Sequence, residues 1–190
     1  MTIEELKDLA GGVMEFALNY LRENESLDAM FQLVTRDGID VIQIEGPLIN
    51  SATAKKEISD RIRERIRSGD VQAVIFVSDT FYAETTVENQ RIINRERLNV
   101  EQAHARGLCD KQEAILVTLE TPIYQSLTRQ IYQRFGKRIK PGKLLLDDST
   151  MPSFGGATGR MFNFFDKNAK GTMDDKPLDI MVGMGKADTQ

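Results

Sequence analysis

Tryptophan is missing from this sequence, and histidine and cysteine occur once each. Metal centres, acyl-transfer triads and thiol redox pairs draw on such residues in groups, and no group of that kind can be assembled here. The expectation is a chain without cofactor and, as the first reading, without catalysis. Long apolar runs are also absent: nothing approaches the roughly 20 residues that span a bilayer, so no membrane association is expected. Met1-Thr2-Ile3-Glu4-Glu5 is acidic where a secretory leader is basic, and Cys109 has no second cysteine to pair with. Both features point to a reducing, cytoplasmic setting.

What is present is the balance of a folded domain. Of 190 residues, 41% are hydrophobic and 28% charged, too apolar for disorder and enough for a core without staples. The formal net charge of −4 exerts no global pull on nucleic acid, so such a role needs a local basic patch.

Thr2 and Glu5 form a capping-box pattern, followed at helical spacing by Ile3, Leu6, Leu9, Val13, Phe16 and Tyr20, which predicts an amphipathic helix to about Glu23. Gly11-Gly12 interrupts it at a cost of roughly 1 kcal/mol per glycine relative to alanine, as for a kink or a close packing contact. Met30–Thr35 and Ile39–Ile44 flank Arg36-Asp37-Gly38 and predict a hairpin. Gly46-Pro47 ends it, and Asn50 or Ser51 caps a helix with Ile58, Ile62 and Ile66 on one stripe and charged faces in solvent. Val71–Val77 is nearly continuous in apolar residues, as a central strand buried on both faces requires. One or two short helices follow to Gly107, the second capped by Asn99, then a strand at Ala114–Leu119; in Tyr124–Phe135 the spacing of Leu127, Ile131 and Phe135 fits a helix while the Thr, Tyr and Ile content fits a strand, and strand is the preferred reading. Gly136 and Pro141-Gly142 punctuate the chain before the short apolar run Leu144–Leu146.

These elements make an α/β or α+β domain over 1–148, a mixed, mainly antiparallel sheet flanked by helices. From 149 to 190 the composition shifts to Gly, Met, Asp and Lys without periodicity, which reads as a C-terminal arm. Val74–Asp79, followed after a polar stretch by Lys111-Gln112-Glu113-Ala114-Ile115-Leu116-Val117, resembles a pattern in small uncharacterised bacterial and phage α+β proteins. The resemblance covers the middle third of the chain; it implies a fold type and transfers no functional residue.

Several constellations offer groups that could carry chemistry. His104 and Cys109 fall within five residues, but a thiolate pair needs a hydrogen-bonded, electropositive setting, and a surface histidine beside a buried thiol is the simpler reading. Asp79 follows the central strand and offers, with Glu84, Glu88 or Glu113, oxygen ligands for a hard cation such as Mg²⁺. Ser78-Asp79-Thr80 at a strand end is more simply a plain turn, since neither a calcium-loop pattern nor an acid-x-Lys pairing of the metal-nuclease kind accompanies it. Gly155-Gly156-Ala157-Thr158-Gly159-Arg160 lacks the lysine and spacing of a phosphate loop and reads as a connection.

Two surfaces remain. Thr121–Lys143 holds Arg129, Arg134, Lys137, Arg138, Lys140 and Lys143 without one acid, interleaved with Tyr124, Tyr132 and Phe135, a composition suited to phosphates and stacked bases as well as to a protected sheet edge. Phe154, Phe162, Phe164 and Phe165 cluster in an otherwise polar segment and should dock on their own domain, on a second copy or on a partner. The leading expectation is a non-catalytic interaction or regulatory protein acting through protein–protein contacts or self-association, with those four phenylalanines as the binding residues. The alternative is nucleic-acid binding through Arg129, Tyr132, Arg134, Lys137, Arg138, Lys140 and Lys143. A second alternative is a metal-dependent enzyme around Asp79.

Overall fold

The computed structural model describes residues 1–46, 51–149, 164–165 and 182–184. Helix α1 spans Ile3–Asn24 and opens on the expected capping box, with Thr2 Oγ1 accepting from the Glu5 amide and Glu5 accepting from the Thr2 amide. Its buried face is Leu6, Val13, Met14, Ala17 and Leu21, so the apolar stripe sits about one residue round from the predicted one. Phe16, 54% exposed, and Tyr20 fall on the flank and stack on each other with ring centroids 5.8 Å apart. The helix runs unbroken through Gly11 and Gly12, and a Cβ at either would meet nothing within 4 Å, so neither packs closely against a neighbour.

Strands β1 (Ala29–Thr35) and β2 (Ile39–Ile44) form the hairpin read from the Asp-Gly turn. Helix α2 (Ala52–Arg67) is capped by Ser51, whose hydroxyl accepts from the Ala54 amide, a contact that in helices generally contributes about 1 kcal/mol. Strand β3 (Val71–Thr85) runs eight residues past the apolar segment, because Ser78–Glu84 keeps its pairing with the next strand although polar side chains interrupt the apolar run. Helices α3 (Val87–Glu96) and α4 (Val100–Ala105) follow, capped by Thr86 and Asn99. Strands β4 (Asp110–Glu120), β5 (Gln125–Phe135) and β6 (Arg138–Ser149) complete a meander. Gly136, at φ +59, takes the first position of the two-residue β5–β6 turn, where a side chain would be strained.

Pro141-Gly142 does not break β6, contrary to its reading as punctuation. It lies at a bulge where the register slips between Gln130 and Tyr132, and a Cβ on Gly142 would sit 3.3 Å from the Ile131 carbonyl oxygen.

The sheet order is β2-β1-β3-β4-β5-β6, antiparallel throughout, and the short strand β7 (Val182–Met184) pairs parallel with Ala83–Thr85. The fold is thus a single α+β domain with a mixed, mainly antiparallel sheet. On one face, Ala73, Ile75, Val77, Ile115, Val117 and Leu119 pack under α1. On the other, Phe31, Leu33, Val74, Phe76 and Leu116 pack with Ile62 of α2, with Ile58 and Ile66 partly buried beside them. Ile93, Val100, Ala103 and Cys109 form a smaller cluster with Ala83. No described helix is long and apolar enough to cross a membrane.

Candidate functional site

Strand alternation places Asp79, Glu113, Tyr132 and Arg134 on the α1 face of the sheet, beyond the C-terminal end of that helix. Tyr132 donates its hydroxyl proton to Asp79 Oδ1 at 2.6 Å. Arg134 uses each of its nitrogens: Nε to Glu113 at 3.2 Å, Nη2 to the Tyr132 oxygen at 3.2 Å, and Nη1 to the Glu25 carbonyl oxygen at 2.7 Å. Glu25 caps α1 in the left-handed conformation, at φ 64, so the guanidinium meets the negative end of the helix dipole. Lys137 adds an ion pair to the Glu25 carboxylate at 2.8 Å.

Burial raises the Asp79 carboxyl above its ordinary value, opposed by the Tyr132 hydrogen bond and the Arg134 charge. Burial and the Asp79 hydrogen bond push the Tyr132 phenol strongly upward, which keeps its proton in place as donor. The quartet is self-satisfied, and its clearest physical effect is to tie the end of α1 to β3, β4 and β5. Between Asp79 (3.8 Å) and Glu113 (3.2 Å) stands the Arg134 guanidinium, filling with an organic cation the place envisaged for a metal. Glu84 lies on the opposite face of β3 by alternation, and Glu88 is in α3. Among the described residues no three His, Cys, Asp or Glu side chains are grouped to hold a metal ion.

The lone histidine and cysteine are close without pairing through the thiol. His104 Nδ1 lies 3.1 Å from the Cys109 carbonyl oxygen, whereas Cys109 Sγ is buried toward the Val100 carbonyl, and burial raises its pKa.

The basic segment divides. Arg129 is buried on the α2 face with its guanidinium 5.2 Å from the centre of the Tyr82 ring, beside a recess of about 20 Å³, room for one water. Tyr132 is buried and Arg134 engaged as described, while Lys137, Arg138, Lys140 and Lys143 are exposed. Tyr124 is buried as well, leaving Phe135, 60% exposed, as the one accessible ring of the segment.

Of the four candidate phenylalanines, Phe154 and Phe162 lie outside the described residues, as does Gly155–Arg160. Phe164 is only 4% exposed: its ring meets Phe31 edge-on, with centroids 5.5 Å apart, and the Arg63 guanidinium lies over it at 5.2 Å. Its amide donates to Glu120 Oε2 at 2.8 Å, a carboxylate with no exposure at all. Phe165 packs partly buried against the same cluster. Arg63 is therefore not on a solvated face of α2, as the sequence implied, and burial lowers its pKa. Glu120 and its fully buried cross-strand neighbour Gln125 were not foreseen, since nothing in the sequence distinguishes them from ordinary strand ends.

No protein-family model, curated protein or solved structure matches the chain.

Proposed function

We propose that this is a non-catalytic interaction or regulatory protein that acts through protein–protein contacts along the outer strands of its sheet. The observation that supports this is the exposure of large apolar side chains on those strands. Val41 on β2 is 59% exposed, and Leu144 and Leu146 on β6 are 57% and 60% exposed. Among the described residues no strand pairs with the outer edge of either. Edge strands normally carry charge, proline or a cover, because an open apolar edge recruits another chain. The titratable quartet, by contrast, has its groups engaged with one another. The reading moves the contact surface away from Phe164, whose ring is spent on its own core.

A photo-reactive phenylalanine analogue at Val41 or Leu146, irradiated in cells producing the protein, is expected to give covalent protein adducts. The same probe at the exposed Glu57 of α2 should not. Absence of protein adducts at both edges would overturn the reading. A second reading, nucleic-acid binding, is favoured by the four exposed cations Lys137, Arg138, Lys140 and Lys143 around one hairpin. It is the weaker of the two because Tyr124 and Tyr132 are buried, leaving Phe135 as a single open ring for a base to stack on.

A further inference from the structure

Strand β6 ends in a segment whose sequence is complementary to itself. Read antiparallel to a second copy, Lys143-Leu144-Leu145-Leu146-Asp147 sets Lys143 opposite Asp147, Leu144 opposite Leu146 and Leu145 opposite Leu145. We infer that β6 pairs with β6 of a second copy of this chain, antiparallel and centred on Leu145, joining the two sheets edge to edge. The inference rests on the reading of the outer strands as contact surfaces, and names the partner of one of them.

The backbone allows this register. In the β4–β5 hairpin the Thr121 amide bonds the Tyr124 carbonyl, which fixes the alternation along β5: its odd-numbered residues turn N–H and C=O toward β6. Leu145, opposite Arg129, therefore bonds inward, and Leu144 and Leu146 turn their amides and carbonyls to the outer edge, with which no described strand pairs. Antiparallel pairing about Leu145 makes each Leu144–Leu146 position a hydrogen-bonded pair and Leu145–Leu145 the intervening non-hydrogen-bonded one.

Side-chain placement agrees. Leu144 and Leu146 stand opposite Gln130 and Thr128 on the α1 face of the sheet, so the four leucines of two copies would cover one another there. Asp147, opposite Leu127, has its register position on the other face, and so does Leu145, opposite Arg129; Lys143 enters that row from the bulge. A slip of two residues in either direction removes both Lys–Asp pairs, and a slip of one turns leucines from one face to the other. Pro141 lacks an amide proton, and with the bulge beside it confines the ladder to the complementary segment. The contact is isologous and closes as a dimer. Strand β2 offers no equivalent, since Ile39-Asp40-Val41-Ile42-Gln43-Ile44 contains no basic residue to meet Asp40, which instead pairs with Arg65 at 2.7 Å.

The test uses the full chain. Sedimentation should give twice 21.4 kDa, dissociating on dilution. In a Cys109→Ser background, Leu145→Cys should form a disulfide-linked dimer under mild oxidation, because directly opposed non-hydrogen-bonded residues have Cα atoms about 4.5 Å apart, within disulfide range. Val41→Cys in the same background should not. Lys143→Asp or Asp147→Lys alone should weaken the dimer about tenfold or more, since two cross-strand pairs turn from attractive to repulsive, and the double exchange should restore it. A dimer indifferent to both single exchanges, or one that Leu145→Cys does not link, overturns the inference. A monomer at the highest soluble concentration also overturns it. If such a monomer still gives protein photo-adducts at Leu146, the edge-contact reading stands with a different partner; if it gives none at either edge, both fail.

Discussion

The Tyr132 hydroxyl reaches Asp79 at 2.6 Å from two strands away, across the width of β4. Removing that donor in Tyr132→Phe leaves a largely buried carboxylate short of one hydrogen bond, for which a loss of about 1–3 kcal/mol is expected. Urea unfolding at neutral pH measures it. An unchanged midpoint and slope would mean that the hydroxyl contributes nothing to holding the sheet.

Asp79 should carry a pH signature of definite sign. Its folded-state pKa is raised above 3.8, burial being the largest cause, so the fold binds its proton more tightly than the unfolded chain does. The carboxyl is therefore most compatible with the fold when protonated, and that advantage is lost as pH rises from 3.8 through the raised folded value. Asp79→Asn should match or exceed the wild type in stability at pH 7, with the gain shrinking toward pH 4. A loss of the same size at pH 7 and at pH 4 would contradict the assignment.

Much of this architecture is legible in the sequence. The capping box at Thr2 and Glu5, the Asp37-Gly38 turn and the Ile58-Ile62-Ile66 stripe are local signals, and local signals suffice where one element's pattern decides its state. What could not be read depends on residues far apart in sequence. In the sequence Asp79 and Glu113 read as possible metal ligands because both are carboxylates near strand ends. Only the register of β3, β4 and β5 shows that Arg134 stands between them. Likewise Glu120 looks like any polar strand terminus until the Phe164 amide is seen against it. The basic stretch was visible as composition, but which of its cations face solvent follows from strand parity and from what covers each face.

Gln125 is fully buried, and among the described residues neither atom of its side-chain amide has a hydrogen-bond partner. Gln125→Met retains much of the volume while removing the unpaired polar group, and should raise stability by about 1 kcal/mol. Thermal unfolding of the two proteins side by side decides it, and a lowered midpoint would reveal that the amide is needed.

Phe164→Ala should be costly, about 3 kcal/mol, because it deletes a ring enclosed by Phe31 and Arg63, whereas Phe165→Ala should cost less since that ring is only partly buried. Equal effects in chemical denaturation would argue that the Phe164 pocket is not part of the core.

Cys109 should resist alkylation. Its thiol is buried and its pKa raised, so iodoacetamide should label it only as fast as the surrounding cluster opens, with rates that rise on adding sub-denaturing urea. Labelling at the rate of a free thiol would contradict the packing of α3 and α4.

Reversing Arg138 and Lys140 to glutamate tests the nucleic-acid reading without disturbing the quartet, which reversal of Arg134 would break. Retention of single-stranded DNA or RNA at low salt, lost in this double variant, would put the rival reading ahead of the edge-contact account.

Amide hydrogen exchange on the full chain, at high and low protein concentration, addresses the central claim most directly. The edge-pairing account predicts that the Leu144 and Leu146 amides, which face outward from β6, gain protection as concentration rises, while the Leu145 amide, bonded to β5, is protected at both. Free exchange of Leu144 and Leu146 at every concentration would show that no second copy sits on this edge.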